Sequence, residues 1–272
     1  MFNVMAASCE IMPTVPEIAA HERNGPPITM LTAYSKSIAE IADSIGIDII
    51  LVGDSVGNTA LGYETTLPVT IEEMISHTAA VVRGVKEALV VTDLPFLSVG
   101  VDESVSVMNA GKMLKMGGAD AVKIESGPHT VDITKRMVDI GIPVMAHVGL
   151  VPQRIRQTGG YYQQGTDEDS ARKIMELAIE HENAGAFAIV LEHMPSDIAK
   201  KITQKLEIPT IGIGAGPHTR GQVLVVDDVI GLSSSMPPFA RRFGNVKEEI
   251  SNAIGKYREE VISGGFPPEN LD

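Results

Sequence analysis

The chain has 272 residues, 44% of them hydrophobic, so it can bury a full core in one α/β domain or in two small ones. A formal net charge of -13 argues against binding to nucleic acid or to an anionic membrane surface. The single cysteine, Cys9, excludes an intramolecular disulfide, and no basic leader or long apolar segment is present, so we expect an untargeted, soluble cytoplasmic protein.

The first segment, residues 1–25, is interpreted as an N-terminal arm. Gly25, Pro26 and Pro27 form a turn signal that separates it from the rest of the chain. We expect one catalytic domain over residues 26–272, in preference to two domains, and an arm that packs on a neighbouring subunit.

Short apolar runs then recur, most of them after a helix-like stretch that stops at glycine or a turn. The eight candidate strands are ITMLTAY (28–34), GIDIILVGDS (46–55), ALVVTDL (88–94), GADAVKIES (118–126), GIPVMAHVG (141–149), GAFAIVLEH (185–193), EIPTIGIGAG (207–216) and GQVLVVDDVIGL (221–232). Eight alternations predict a (β/α)8 barrel. The alternative, an open doubly wound sheet, usually has fewer strands and often a glycine-rich turn after the first, which is absent here.

Polar side chains capable of chemistry end several of these runs. They are Asp54, Asp93, Lys123, Glu125, His147 and Glu192. Because all strands of such a barrel run the same way, their carboxyl ends meet at one mouth, where these enzymes do their chemistry. The alternative is that each acid only caps the helix that follows it. Capping would explain a single acid after a strand, but it explains poorly why five strands in succession end in such side chains.

The acids at the ends of strands 2, 3 and 4 form a candidate metal site. Asp54, Asp93 and Glu125 offer hard oxygen ligands, the last directly or through water, and Mg²⁺ suits such a set. Zinc is less suited, because no cysteine falls at these strand ends and the histidines are scattered. The alternative is a solvated acidic surface. A chelated Mg²⁺ would polarise the carbonyl of a small 2-oxo acid and stabilise its enolate.

Glu192 is the candidate base that removes the proton, unless it only stabilises the first turn of the following helix. Lys123 is a candidate contact for the substrate or its oxyanion, or simply a neutralising partner of Glu125. His147 either donates a hydrogen bond to the substrate or is a structural histidine. Ser55 either holds the substrate carboxylate, the reading we favour, or caps a helix.

Three further segments have weaker signals. GIGAGP (212–217) lets backbone approach a ligand but lacks dinucleotide-binding spacing. TGGYYQQG (158–165) is either a loop that closes over the mouth, an ordinary surface loop or a subunit contact. In GYETTLPVT (62–70), Thr70 begins a capping-box pattern, so we interpret that end as structural.

Taken in order, the motifs resemble those of the ketopantoate hydroxymethyltransferase (3-methyl-2-oxobutanoate hydroxymethyltransferase) family from about Pro27 to Phe243. They are LVGDSVG, GYETTLPVT, HTAAVVRG, TDLPF, GADAVKIE, HVGLVPQ, GGYYQQG, GAFAIVLE and IPTIGIGAG. The resemblance implies transfer of a one-carbon unit from 5,10-methylenetetrahydrofolate to 3-methyl-2-oxobutanoate, giving 2-dehydropantoate, in pantothenate and coenzyme A biosynthesis. It also implies a cytoplasmic homodecamer and a barrel of the phosphoenolpyruvate mutase and isocitrate lyase type.

The same resemblance implies roles for individual residues. Asp54, Asp93 and Glu125 match the magnesium positions, and Glu192 matches the proton acceptor. The positions that match the oxo-acid contacts are Asp54, Ser55, Asp93 and Lys123. Departures from the family pattern fall in TAYSKS, GGYYQQG and SSSMPPFARRF, away from these residues.

Two other functions stay open from the sequence. A related lyase or mutase would keep the magnesium enolate but break a C–C or P–C bond, although the nucleophilic cysteine region of the lyases is lacking. A barrel retained for assembly or regulation would have no need for a base, a lysine and three metal-competent acids at one mouth.

Overall fold

A computed structural model describes residues 13–127 and 129–268, and the chain divides into two compact units, Met1–Leu224 and Val225–Asp272. The first unit contains all eight strands. In chain order its elements are α1 (Val15–Ala19), β1 (Ile28–Thr32), α2 (Lys36–Ile45), β2 (Ile49–Val52), α3 (Val56–Thr59), α4 (Ile71–Val82), β3 (Leu89–Asp93), α5 (Glu103–Lys112), a π-helical turn (Met113–Gly117), β4 (Ala121–Glu125), α6 (Thr130–Asp139), β5 (Val144–Gly149), a 3₁₀ turn (Pro152–Arg154), α7 (Ile155–Thr158), α8 (Glu168–Asn183), β6 (Ala188–Glu192), α9 (Ser196–Lys205), β7 (Thr210–Ile213) and β8 (Gly221–Leu224).

The strands form a closed parallel barrel in which each pairs with its neighbour in sequence and β8 pairs with β1. Strands β2 and β3 are buried along their whole length, and the unbroken apolar sequence of β2 is typical of a sheet that is covered on both faces. The predicted (β/α)8 barrel is confirmed.

Alternate residues of the strands face two different cores. On β6, Val190 lies in the barrel interior, whereas Ile189 and Leu191 pack outward beneath helices α8 and α9. This alternation decides which strand-end side chains point into the mouth.

The described part of the predicted N-terminal arm contains a short helix. Thr14 begins α1 with a capping box that includes Glu17, and Ile18 is buried in the interior core of the barrel. Cys9 and the rest of residues 1–12 lie outside the described residues. The arm boundary at residue 25 and the single catalytic domain over residues 26–272 stay predictions.

The second unit contains α10 (Val226–Ile230) and α11 (Val246–Ser263). The expectation of a strand over 221–232 is therefore wrong beyond Leu224. Two acids, Asp227 and Asp228, occupy the first turn of α10, and Gly231 ends it with φ 76, so helix-end signals outweigh the apolar run. Among the helices of the described residues, none has the length and apolar character needed to span a membrane.

Candidate active site

Strand alternation points the predicted site residues into the barrel. Glu192 lies on the same face of β6 as the interior residue Val190, and Asp93 lies on the same face of β3 as Val91. Both side chains come at the carboxyl ends of their strands. They therefore line the mouth at which a parallel barrel presents its chemistry.

The strand register decides which of these residues are neighbours. Asp93 is paired with Lys123 of β4, and Glu125 is paired with His147 of β5. Lys123 and Glu125 are two residues apart and so share the interior face of β4. We call the predicted site residues the rim cluster: Asp54, Ser55, Asp93, Lys123, Glu125, His147 and Glu192.

A chain of polar contacts crosses the rim cluster from β3 to β6. Lys123 Nζ lies 2.6 Å from Asp93 Oδ1 and 3.5 Å from His147 Nδ1. His147 Nε2 lies 3.1 Å from Glu192 Oε2, although the angle is too poor to count as a hydrogen bond. This row of contacts connects Asp93, the acid of β3, with Glu192, the candidate base of β6.

The protonation states along this chain follow from its geometry. Burial lowers the pKa of Lys123, but the carboxylates of Asp93, Glu125 and Asp54 outweigh burial and leave that pKa raised. The pKa of His147 is lowered, first by burial and then by the charge of Lys123. Since an ammonium group only donates, Nδ1 of the neutral imidazole accepts, and the proton is on Nε2, facing Glu192.

Asp54, which follows β2, and Glu125, which ends β4, are close enough for their charges to interact. Burial, followed by the charge of Asp93, raises the pKa of Asp54 to about 7. Burial and then the charge of Asp54 raise the pKa of Glu125 well above its usual range, although its side chain keeps some exposure at the mouth. Ionising both carboxyls is therefore unfavourable unless a cation lies between them.

The donor set fits a hard divalent cation that keeps part of its water shell. Within residues 13–127 and 129–268, no group of three or more His, Cys, Asp or Glu side chains is placed to hold a metal ion by itself. Asp93 explains part of this, because one of its oxygens faces Lys123 and the other accepts from the Asp54 backbone N–H at 3.1 Å. Magnesium commonly takes only one or two protein carboxylates and several waters.

Thr66 supplies a second sign of fit for such an ion. Its buried hydroxyl faces the Asp54 carboxyl, and hydrogen bonding between the two lowers the pKa of Asp54. The contact falls short of good hydrogen-bond geometry, and the described part of the chain offers the hydroxyl no better partner. A buried hydroxyl of this kind usually meets a water or ligand. It is suited to a water bound to the cation or to a substrate oxygen.

Ser55 lies at the start of α3, but its side chain makes no capping hydrogen bond to the helix. Its Oγ lies 2.8 Å from the hydroxyl of Tyr34, which follows β1. A Cβ at position 53 would lie 2.7 Å from Ser55 Oγ, so a larger residue there would displace this hydroxyl. The capping interpretation is not supported by these contacts, and the serine hydroxyl is held at the mouth by a tyrosine.

Sequence reasoning missed three residues of this site: Tyr34, Thr66 and Gln153. Gln153 donates from its backbone N–H to Glu125 and from its side chain to Asp54, both at 2.9 Å. The only available signal was their presence inside the quoted motifs TAYSKS, GYETTLPVT and HVGLVPQ.

The loop TGGYYQQG adjoins the mouth. Gln164 donates its backbone N–H to the His193 carbonyl at 2.9 Å, next to Glu192. The pKa of Tyr161 is raised, first by burial and then by the charges of Asp54, Glu192 and Glu125, so its half-exposed hydroxyl lies within the field of the rim cluster. Closure of this loop stays a prediction.

The other two motifs have structural surroundings. A Cβ at Gly212 would lie 2.6 Å from Thr219 Oγ1, and one at Gly216 would overlap Ser196, so protein atoms surround these glycines. Thr70 caps α4 in a reciprocal capping box with Glu73, as predicted.

Comparison with known proteins decides the family. A family model described as ketopantoate hydroxymethyltransferase matches residues 13–269. The chain belongs to this family. Ketopantoate hydroxymethyltransferases are transferases, so the expectation of an enzyme and of this family is confirmed.

Curated relatives in the family match over nearly their whole length. A 3-methyl-2-oxobutanoate hydroxymethyltransferase from Natronomonas pharaonis is 61% identical over 241 residues, 89% of this chain and 90% of its own. One from Haloarcula marismortui is 55% identical over 95% of this chain and 96% of its own, and one from Geobacter metallireducens is 49% identical over 94% and 96%.

Solved structures show the same barrel type at much lower identity. A 2,3-dimethylmalate lyase of the PEP mutase/isocitrate lyase superfamily aligns with TM-score 0.61 and 17% identity, covering 96% of this chain and 88% of the lyase. Oxaloacetate acetylhydrolase aligns with TM-score 0.62 and 10% identity, over 94% and 88%. The predicted barrel type is confirmed.

Proposed function

We propose that this chain transfers the one-carbon unit of 5,10-methylenetetrahydrofolate to 3-methyl-2-oxobutanoate and forms 2-dehydropantoate, in pantothenate and coenzyme A biosynthesis. The observation that carries the proposal is the polar chain Asp93–Lys123–His147–Glu192, at one barrel mouth with two further acids, in a member of this family. It joins a site for a cation to a candidate base, which is what enolate chemistry requires.

Asp54, Asp93 and Glu125 would hold Mg²⁺, directly or through water. When bound, Mg²⁺ supplies positive charge that polarises the keto group of the 2-oxo acid and makes its C3–H more acidic. The raised pKa values of Asp54 and Glu125 and the buried Thr66 hydroxyl beside Asp54 support this assignment.

Glu192 acts as the base. Its carboxylate takes the proton from C3, and the electron pair of that C–H bond enters the enolate. Nε2 of the neutral His147 lies 3.1 Å from this carboxylate, and the other ring nitrogen faces Lys123, so the imidazole borders the base. The enolate carbon bonds to the methylene carbon, water supplies the hydroxyl oxygen, and both C–N bonds of that carbon break. Tetrahydrofolate leaves with two protons on its nitrogens, one passed on from Glu192 and one from the water.

The remaining rim residues bind the substrate. Lys123 is buried and positively charged, so it stabilises the oxyanion or the substrate carboxylate. Ser55, held by Tyr34, donates a hydrogen bond to the carboxylate. The loop that carries Tyr161 limits the access of water to the enolate.

A steady-state assay with both substrates tests the proposal. We expect 2-dehydropantoate to form only when Mg²⁺, 3-methyl-2-oxobutanoate and methylenetetrahydrofolate are all present. Cleavage of a 2-oxo or 2-hydroxy acid without folate would assign a lyase instead. A folded protein that neither binds Mg²⁺ with the oxo acid nor forms product would be a scaffold, and the proposal would be wrong.

Three further expectations from the family resemblance go with this proposal. They are a cytoplasmic location, a homodecameric assembly and a folate site at the mouth. None of the described contacts assigns folate-binding residues.

A further inference from the structure

The connection from β5 to α7 contacts three acids of the rim cluster. It leaves β5 at Gly149, whose φ of 100 lies in the left-handed region that favours glycine. A Cβ there would overlap the Glu192 carbonyl oxygen, to which Leu150 donates its N–H at 2.8 Å. The connection therefore lies directly against the backbone of the candidate base before it reaches Gln153.

The backbone of Gln153 holds the acid of β4. Pro152 occupies the first position of the 3₁₀ turn and has no N–H, so Gln153 presents the first amide of the turn. A first-turn amide has no partner within its own helix. It donates to Glu125 Oε2 at 2.9 Å.

The side chain of Gln153 holds Asp54, the acid that follows β2. Its Nε2 donates to Asp54 Oδ2 at 2.9 Å and to the Leu94 carbonyl at 3.0 Å, which uses both amide hydrogens. Both partners are acceptors, so the amide nitrogen, and not its oxygen, must face them. Leu94 directly follows Asp93, so the same amide is fixed to the end of β3.

We propose that Gln153 is a positioning residue that holds Asp54 and Glu125 at the separation a divalent cation requires, while it remains outside the coordination sphere. The inference rests on the proposed function of the site. Two ionised carboxylates repel each other, and each could turn away by rotating about its side-chain bonds. One residue that donates to both removes that freedom before the cation arrives, so less of the binding free energy is lost in ordering the ligands.

The test is a calorimetric titration of Mg²⁺ into the full chain in the presence of saturating 3-methyl-2-oxobutanoate. Gln153→Met keeps the length of the side chain and removes both side-chain donors. The backbone N–H, and with it the contact to Glu125, remains. We expect Mg²⁺ affinity to fall by about 10–100-fold, the usual effect of losing such an outer contact.

Gln157→Ala is the matched control, because Gln157 is exposed on α7, four residues further along the same connection. We expect its Mg²⁺ affinity to equal that of the wild type. Thermal unfolding of each variant sets a temperature at which all are folded. Gln153→Ala is the second variant and should show the same loss if the methionine variant does not fold.

The outcomes separate the two proposals. Wild-type protein that binds Mg²⁺, together with a folded Gln153→Met that binds it within about twofold of wild type, would overturn the role of Gln153 alone. A lowered melting temperature with unchanged Mg²⁺ affinity would show a purely structural role and would also overturn it. Wild-type protein that binds no Mg²⁺ would overturn the proposed function and this inference together.

Discussion

The two ends of the barrel hold their charged side chains in different ways. At the end where the strands begin, Arg220 donates to the Glu207 and Leu206 carbonyls at 2.6 and 2.9 Å, and Arg23 donates to the Leu206 carbonyl at 2.8 Å. Arg23 also pairs with the Glu207 carboxylate at 2.9 Å. We call Arg23, Glu207 and Arg220 the amino-end cluster. Its two arginines satisfy the backbone carbonyls that follow the end of α9.

At the mouth, the charges face one another instead of the backbone ends. Asp54, Asp93 and Glu125 lie around one ammonium group, that of Lys123, and the pKa values of Asp54 and Glu125 are raised as a result of burial and mutual repulsion. We infer from this difference that the amino-end cluster stabilises the fold, whereas the rim cluster lowers the free energy of unfolding until a ligand binds. Four substitutions test this inference.

Glu192→Gln should have the largest effect, and on chemistry alone. Glutamine keeps the shape of the side chain but cannot accept the C3 proton, so deuterium exchange at C3 of 3-methyl-2-oxobutanoate should slow by about 10²–10⁴-fold. Proton NMR in deuterated buffer measures the rate, and thermal unfolding should be unchanged or higher. Exchange at the wild-type rate would remove Glu192 from its role as base.

Lys123→Met should destabilise the protein strongly. It leaves Asp93 buried without its 2.6 Å partner, and breaking a buried ion pair from one side costs about 3–5 kcal/mol. Urea denaturation of the metal-free protein measures the change. Lys36→Met, which breaks the exposed 2.7 Å pair with Glu40, is the control and should change stability by less than about 1 kcal/mol.

Asp54→Asn should stabilise the metal-free protein at pH 8. The pKa of Asp54 is raised from 3.8 to about 7, so the folded state binds the proton more tightly than the unfolded chain. The stability contributed by the protonated group is therefore present below pH 3.8 and is lost as pH rises through about 7. Asparagine removes this loss and still accepts from Gln153.

We expect a gain of about 1–3 kcal/mol in the free energy of unfolding at pH 8 with chelator present, and little gain at pH 4. Saturating Mg²⁺ should reverse the sign, because only the wild type then gains stability from the bound cation. Equal effects at both pH values would contradict the repulsion at the mouth.

Arg220→Met, in the amino-end cluster, should lower the stability of the fold and leave the chemistry unchanged. It leaves the Glu207 carbonyl without its 2.6 Å donor, and a lost hydrogen bond of this kind costs about 1–3 kcal/mol. The loss should be independent of Mg²⁺, and C3 exchange should stay at the wild-type rate. Dependence of the loss on Mg²⁺ would show that the two ends of the barrel are coupled.

The sequence predicted the parts of the site that depend on strand periodicity. Parallel strands in a closed barrel bring their carboxyl ends together. Five site residues occur at or near such an end: Asp93, Lys123, Glu125, His147 and Glu192. The capping box of Thr70 was predictable for a similar reason, because it depends on residues only three apart.

The sequence could not predict the contacts made by loops. Gln153 reaches Asp54 from the loop after β5, and Tyr34 reaches Ser55 from the loop after β1. Those distances depend on how each loop turns after its strand, for which residue spacing offers no rule. The overlong eighth strand has another cause, since an apolar run alone does not distinguish a strand from a buried helix.

The most direct measurement is deuterium exchange at C3 of 3-methyl-2-oxobutanoate by the wild-type protein, without folate, in the presence and absence of Mg²⁺. We expect exchange with Mg²⁺ and none when a chelator removes it, because the acids at the mouth need the cation before Glu192 can take the proton. A folded, Mg²⁺-loaded protein that leaves the C3 hydrogen in place would contradict the account.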